Sequence, residues 1–408
     1  MHILFLSDNF PPEGNAPASR TFEHASQWVH SGHAVTVITC APNFPDGVIY
    51  DGYKNQWISK EIINGINVWR VKTYISANKG VIKRTLDFIS FMLTSFIFGL
   101  FSKKVDIVVG TSPQFFTVIS SFFLAKFKRV PFVFELRDFW PESITAVGAM
   151  NRNFFIKIFE KIENFLYKKS DHIICVTNSF KEILIKRGID KKRISVALNG
   201  VDSSIISSIP KPDPLKNLDL ENSFVVGYIG THGMAHALEI IVDAAEQLAN
   251  YKEIIFLFVG GGASKKNLDQ YIHLKNIDNV ISIGRQPKEY IAHFLKNCDI
   301  SISHLKNNNT FSHVIPSKIF ESMANGTPIL LAMPEGEATE IIRKNNCGII
   351  ALPENSSDIA DKILFLKNNP KILQDMKNSN NLAALKYSRK EIADSILETF
   401  KLILTKSK

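Results

Sequence analysis

Cysteine is scarce. Four residues in 408, Cys40, Cys175, Cys298 and Cys347, are widely scattered. No C-x-x-C pair occurs, so neither a zinc site nor a disulfide framework is indicated, and a reducing cytosol is the expected compartment. No apolar run reaches the roughly 20 residues that span a bilayer. The opening "MHILFLSDNF" has no basic leader and turns polar at Asp8, so it reads as a buried first strand and not as a secretion signal. Internal repeats, low-complexity tracts and the G-x-G-x-x-G dinucleotide fingerprint are all missing. No basic groove interleaved with aromatics is visible, which places nucleic-acid binding last among the functions to consider.

What is present describes a globular protein: 45% hydrophobic and 21% charged residues, in a chain too long for one ordinary core. The net charge of +9 is uneven. Residues 1–200 hold 25 Lys+Arg against 16 Asp+Glu, whereas residues 201–408 hold 23 of each. The first half therefore faces something anionic or carries a plain basic surface. Both halves alternate short Val/Ile/Phe-rich runs ("HILFLS", "AVTVIT", "VDIVVG", "VPFVFEL"; then "SFVVGYIG", "IIFLFVGGG", "DISISHL", "TPILLAM") with helical stretches. That is the pattern of parallel sheets buried on both faces, with ligands at the carboxyl ends of the strands. Two Rossmann-like domains are expected, over 1–200 and 201–388, joined through the Ser/Pro-rich "LNGVDSSIISSIPKPDPLKN". The closing helix at 389–408 follows no strand and is expected to cross back to the first domain.

Chemistry-bearing residues gather where strands end. "YIGTHGMAH" offers bare backbone at Gly230, Thr231, His232 and Gly233 before a helix, which suits a phosphate; a plain strand-to-helix turn is the competing reading. "VGGGASK", with Gly261, lets a ligand approach closely or serves as a flexible connection. Arg285, in "IGRQP", can stack on a base or meet a phosphate, or be a lone surface arginine. In "HVIPSKIFESMANGTPIL", Pro316 suits the first turn of a helix. The free N–H groups of Ser317 and Lys318 then make an anion site, Lys318 adds a charge, and Glu321, one turn on, presents a carboxylate that matches a ribose diol. In the first half, "NFPPEGNAPASR" places Gly14 and Asn15 in a loop before a helix bearing Ser19 and Arg20. "ELRDFWPE" crowds Glu135, Arg137, Asp138 and Glu142 at a strand's end, as a site or as a structural ion-pair cluster.

The stretch 79–104 has a 16-residue apolar centre, Leu86 to Phe101, flanked by Lys79, Lys83, Arg84, Lys103 and Lys104. Two readings stay open: an in-plane membrane anchor or a buried core helix. The Phe-rich, Lys-bearing "FFTVISSFFLAKFKR" leans toward the membrane.

With these motifs in order ("SGHAVTVIT", "DHIICVTNSFKEILIKRGIDKKRISVALNGVD", "PSKIFESMANGTPIL"), nearly the whole chain resembles the family 4 glycosyltransferases. These have the GT-B fold, two Rossmann-like domains facing a cleft. "ELRDFWPES", "GTHGMAHALE" and "PSKIFE" are similar to a branch that builds O-antigen and capsule, including transferases of N-acetyl-L-fucosamine onto lipid-linked sugar. The resemblance implies that the second Glu of the family's Glu-x7-Glu motif falls on Glu321 and binds the donor ribose. The first falls on His313, a departure, because a neutral imidazole both donates and accepts where a carboxylate only accepts. It places the backbone phosphate cradle on Ser317 and Lys318 and the glycine loop near the donor on Gly14 and Asn15. The Arg and Lys that relatives carry after the first strand of the second domain are absent; Arg285 or Lys318 is left to supply their charge. Where many relatives have a His in the first domain, this chain reads "ELRDFWP", which leaves Asp138 as the cleft group. Arg20, Glu135 and Arg137 stand on the acceptor side.

The resemblance thus implies a retaining transferase that moves a sugar, such as an N-acetylated amino sugar, from a UDP-sugar to a polyprenyl-diphosphate-linked saccharide. It would do so at the cytoplasmic face of the inner membrane, with no metal, since no D-x-D triplet occurs. Asp138, His313 and Lys318 would stand at the reacting centre. The alternatives are a sugar-nucleotide 2-epimerase of the same fold and a non-catalytic, membrane-docked sugar-nucleotide binder.

Overall fold

The computed structural model describes residues 1–76, 81–140, 142–143, 154–201, 210–216, 218, 220 and 222–406. The Ser-rich centre of the expected linker, 202–209, lies outside the described residues, as do Lys79 and Gly80 of the 79–104 stretch.

The chain forms two units, Met1–Leu198 with Arg389–Lys408, and Asn199–Ser388. The first is built on eight strands: β1 (His2–Leu6), β2 (Ala34–Cys40), β3 (Ile58–Ile63), β4 (Ile66–Val71), β5 (Ile107–Thr111), β6 (Phe132–Leu136), β7 (His172–Cys175) and β8 (Ile194–Val196). They lie in the order β3-β4-β2-β1-β5-β6-β7-β8. All neighbours run parallel except the β3–β4 pair at one edge. Central strands such as β5 and β6 are buried at every position because helices cover both faces, so their sequences are continuous apolar runs.

The second unit has six parallel strands: β9 (Phe224–Ile229), β10 (Ile254–Val259), β11 (Val280–Ile283), β12 (Ile300–His304), β13 (Ile329–Ala332) and β14 (Gly348–Ala351), ordered β11-β10-β9-β12-β13-β14. This is the doubly wound order, whose direction of winding reverses between β9 and β12. Ladder pairing between those two strands covers only Ile300↔Val226 and Ser301↔Gly227, so they diverge beyond Gly227. The loops after β9 and β12 therefore rim a crevice at the switch point. In the first unit the equivalent reversal falls between β1 and β5.

Helix α1 (Ala16–His30) starts at Asn15, whose Oδ1 accepts from Ala18 N at 2.9 Å. The last helix, Arg389–Lys406, lies against α1: Trp28 Nε1 donates to Ala393 O at 2.9 Å and its ring meets Phe400 edge-on at 5.3 Å. The apolar stretch forms α2 (Val81–Leu100), and the Phe-rich stretch forms α3 (Phe115–Lys128).

Of the two readings open for 79–104, the core one holds for one side of α2: the face of Phe91, Phe96 and Phe98 is turned to the core. Phe91 is fully buried and the other two pack against the same cluster. Ser95 Oγ bonds Ser120 Oγ of α3 at 2.8 Å, and a Cβ at Gly99 would come within 2.6 Å of Leu124. Likewise Phe115, Phe116 and Phe122 are buried. The reason is local: α2 is apolar around most of its circumference, so hydropathy fixes the helix but not which side is covered. The side left exposed carries Leu86, Leu93 and Ile97, with Phe101 just beyond the helix end and Phe123 and Phe127 on α3. Among the described residues no helix is long and apolar enough to cross a membrane.

Candidate active site

At the switch point of the second unit, the chain leaves β12 and enters the helix Ser317–Ala324. Pro316 is its N-cap, one position before the first turn where the sequence pattern put it, and no side chain caps the start. The first backbone N–H groups therefore remain available to an anion. The Lys318 side chain runs back over the loop after β9. Gly230 lies at φ +130°, a conformation that favours glycine, and a Cβ there would come within 2.8 Å of Lys318 Cε. Lys318 Nζ donates to Tyr228 Oη and sits 3.6 Å above the Tyr228 ring. The Tyr228 hydroxyl in turn donates to Thr231 O at 2.7 Å.

This environment changes the expected charge. Burial pushes the Lys318 ammonium down to about 7, with Glu321 only partly restoring it. By surface area the residue is partly exposed, but its ammonium group is enclosed, and that end decides the ionisation. Near neutral pH the free protein thus holds Lys318 far more readily deprotonated than the full cation that the sequence implies.

The loops after β9 and β10 meet backbone to backbone. His232 N donates to Gly261 O at 2.9 Å, and Ser264 N to His232 O at 2.9 Å. A Cβ at Gly260 would lie 1.9 Å from Gly230 O, and one at Gly262 2.6 Å from His232 O. Gly261 faces Arg285, which is exposed beside it. His232 is fully buried between these loops with neither ring nitrogen hydrogen-bonded, and burial, reinforced by Lys265 and Lys318, holds it near 3. His236 and His304 form a reciprocal pair: His236 Nδ1 meets His304 O at 3.1 Å and His304 Nδ1 meets His236 O at 2.6 Å. Glu354 N donates to His304 Nε2 at 3.0 Å, which fixes a neutral tautomer with the proton on Nδ1. Gly233 abuts the His236 ring. His313 closes the short turn Asn309–His313 just ahead of Pro316. Gly230, Thr231, His232 and Gly233 on the loop after β9, His313 on the segment after β12, and Ser317, Lys318 and Glu321 on the helix that follows thus stand about one switch point, with Gly261 on the adjoining loop after β10.

In the first unit the expected residues divide. Arg20, on α1, is 2% exposed; its Nε meets Glu135 Oε1 at 3.0 Å, its Nη1 donates to Leu198 O and its Nη2 to Ala197 O, both at 2.9 Å. Burial alone would raise the Glu135 carboxyl, but Arg20 and Arg137 outweigh it and hold it low. Arg20 and Glu135, expected on the acceptor side, form a buried clasp that ties α1, β6 and the end of the unit together. Asn15 is the cap of α1, and Gly14 before it is exposed. Asp138 follows β6, with its backbone N–H 3.3 Å from Ser112 Oγ; burial raises its carboxyl to about 6 against the Ser143 hydroxyl and the Phe139 N–H.

Tyr228, His236, His304 and Gly260 were missed from sequence. Tyr228 and His304 look like ordinary strand ends there; an aromatic two residues before a Gly-bearing turn is the one local signal. Among the described residues no three His, Cys, Asp or Glu side chains gather as a metal site.

Two family models divide the chain: "Glycosyltransferase Family 4" matches residues 18–205 and "Glycosyl transferases group 1" matches residues 213–382. The putative colanic acid biosynthesis glycosyl transferase WcaI of Escherichia coli (strain K12) is 25% identical over 336 residues, 80% of this chain and 82% of that one. The N,N'-diacetylbacillosaminyl-diphospho-undecaprenol alpha-1,3-N-acetylgalactosaminyltransferase of Campylobacter jejuni is 22% identical over 292 residues, 69% and 73% of the two chains. Among solved structures, Anabaena Alr3699/HepE in complex with UDP-glucose superimposes with a TM-score of 0.71 at 17% identity, covering 98% of this chain and 99% of that one. At that identity the likeness establishes the fold.

Proposed function

We propose that this glycosyltransferase, whose two halves match the family 4 and group 1 models, is a GT-B enzyme that moves a sugar, with retention, from a UDP-linked donor to a saccharide carried on a polyprenyl diphosphate. The observation that carries this reading is the second-unit crevice: an uncapped helix start, Lys318 folded over Gly230, and Glu321 one turn along. Breaking the bond between the sugar and the β-phosphate leaves charge on the departing diphosphate. Lys318, Arg285 and the backbone N–H groups of Ser317 and the Gly230–Gly233 loop stabilise that charge, without metal. Glu321 accepts from the ribose hydroxyls. His313 stands beside the sugar, where it can both donate and accept, and Asp138 is the first-unit group at the acceptor. The donor sugar is an N-acetylated amino sugar such as N-acetyl-L-fucosamine, and the product enters an O-antigen- or capsule-type polymer. A relative that acts on a diphospho-undecaprenol substrate supports the lipid-linked acceptor. Exposed Leu93, Ile97, Phe101, Phe123 and Phe127, beside Lys103, Lys104 and Lys126, rest on the anionic inner face of the membrane.

The test is nucleotide release from a panel of nucleotide sugars, with and without lipid-diphosphate sugars and with EDTA present. Transfer that depends on the lipid acceptor and survives EDTA is expected. Epimerised donor without acceptor would move the chain to the epimerase reading, and binding without turnover to a sugar-nucleotide-binding subunit.

A further inference from the structure

The first unit encloses more guanidinium groups at the carboxyl edge of its sheet than it pairs. Arg20 is paired with Glu135, and Arg389 with Glu23. Arg137, immediately after β6, is left over. Its Nε and Nη1 are buried with no hydrogen-bond partner, and it has no ion pair among the described residues. Burial lowers it to about 10, so it stays charged at neutral pH; the nearby Glu135 favours that charge while Arg20 and Arg389 oppose it. Glu135 leaves it a single oxygen: Oε1 is fixed on Arg20 at 3.0 Å, and Oε2 is buried with no hydrogen-bond partner, Arg137 included. An enclosed, unpaired cation is costly to keep unless something anionic visits it.

A second unspent donor sits on the next loop. Gln114, after β5, is 5% exposed. Its Oε1 accepts from Thr117 N at 2.6 Å and Thr117 Oγ1 at 2.7 Å, which fixes the amide orientation and leaves Nε2, buried and partnerless, as a donor. The two loops are held level: Thr111 pairs with Glu135 in the β5–β6 ladder, and Ser112 Oγ accepts from Arg137 N at 2.8 Å and Asp138 N at 3.3 Å. Gln114 also caps α3, so the positive end of a 14-residue helix opens on the same loop. His24, 1% exposed with Nε2 unpartnered, is close enough for Arg137 to oppose its protonation. On these two adjoining loops three unpartnered donors, Arg137 Nε and Nη1 and Gln114 Nε2, stand against one unpartnered acceptor, Glu135 Oε2, and the ligand class that suits such a surplus is an oxyanion.

We propose that Arg137 and Gln114 form an oxyanion subsite in the first unit that receives a phosphate of the acceptor's lipid diphosphate. The inference rests on the transferase reading above, and it assigns the acceptor anchor to a place separate from the nucleotide crevice of the second unit.

The experiment measures binding of farnesyl diphosphate, farnesol and UDP to the full chain, its Arg137→Gln variant and its Gln114→Glu variant. Gln114→Glu keeps an oxygen for the α3 cap but replaces the amide donor with negative charge. In the parent, farnesyl diphosphate should bind much more tightly than farnesol. Each variant should reduce that preference by about tenfold to a hundredfold, the loss typical of a hydrogen bond to a charged group. UDP affinity should not change, and the melting temperature of Arg137→Gln should not fall, because an unpaired buried charge has been removed. No preference for the diphosphate in the parent, or a preference untouched by either variant, overturns the subsite. A loss that appears in UDP affinity instead assigns the anion to the nucleotide and overturns it equally. If no lipid acceptor supports transfer but the diphosphate preference still depends on Arg137, the subsite stands and the transferase reading falls, so the two failures are separable.

Discussion

The depressed ionisation of Lys318 makes donor binding proton-linked, with a sign and size that follow from its surroundings. Enclosure over Tyr228 takes the ammonium from 10.5 to about 7. At about 1.4 kcal/mol per unit, the charged form is penalised by about 5 kcal/mol. A donor diphosphate at the helix start brings two negative charges. Each is worth about 4 kcal/mol to a cation 4 Å away at an effective dielectric constant near 20, enough to restore the proton. Donor binding above pH 7 must then carry a proton in with it. Between pH 6.5 and 9 the affinity should fall by about 80-fold, and at pH 8 close to one proton, about 0.9, should be taken up per ligand. His232 and His236, both held near 3 by burial, do not titrate in this window; Asp8, Asp87 and Glu163 of the first unit do, and the Lys318→Arg variant below separates them from Lys318. UDP-N-acetylglucosamine is a suitable probe, because neither of its phosphates titrates there. Calorimetry in two buffers of different ionisation enthalpy reads the proton directly. In the unliganded protein the Lys318 contribution to stability runs the opposite way: the unfolded chain binds its proton up to about 10.5 and the folded one only to about 7, so relative to Lys318→Arg the parent gains stability as pH rises between them. Lys318→Arg, which stays charged, should flatten the affinity profile. Constant affinity from pH 6.5 to 9 in the parent, with no proton exchanged, would refute the reasoning.

Glu321→Ala should weaken UDP binding about tenfold to a hundredfold while leaving 2′,3′-dideoxyuridine diphosphate unaffected; equal losses for both ligands would remove the ribose assignment. Gly260→Ala places a methyl 1.9 Å from Gly230 O on a backbone at φ +148°, so the two donor loops must part. Denaturant unfolding should show a loss of about 1–3 kcal/mol and donor affinity should drop; parent-like values in both would show that the loops yield freely. Arg20→Met leaves Glu135 buried without its partner and should cost about 3–5 kcal/mol, most of it recovered when Glu135→Leu is added. Leu93→Asp with Ile97→Asp should reduce sedimentation with anionic vesicles at unchanged stability, whereas Phe91→Ala should cost about 3–5 kcal/mol of stability; vesicle binding that survives the Asp pair would end the membrane role of that face.

What the sequence discloses and what it hides divide along a physical line. The β-strands were legible because a parallel sheet covered on both faces needs unbroken apolar runs, and β1, β5, β6, β9 and β10 are such runs. The helix start at Pro316 was legible because proline there has one structural use. Properties set by packing across long sequence separations were not. Nothing near position 318 announces that its ammonium will lie over Tyr228, 90 residues earlier, and deprotonate far more readily near neutral pH. Nothing near Arg20 announces that Glu135 and the carbonyls of Ala197 and Leu198 will absorb it, while Arg137, two residues from Glu135 and similar in composition and setting, is left unpaired. Both arginines stand among candidate site residues in the sequence; only burial and hydrogen-bond satisfaction separate the one that holds the fold from the one with capacity to spare. That capacity is the more telling quantity, because a buried donor without an acceptor costs free energy in the unliganded state, and a ligand that supplies the acceptor recovers it.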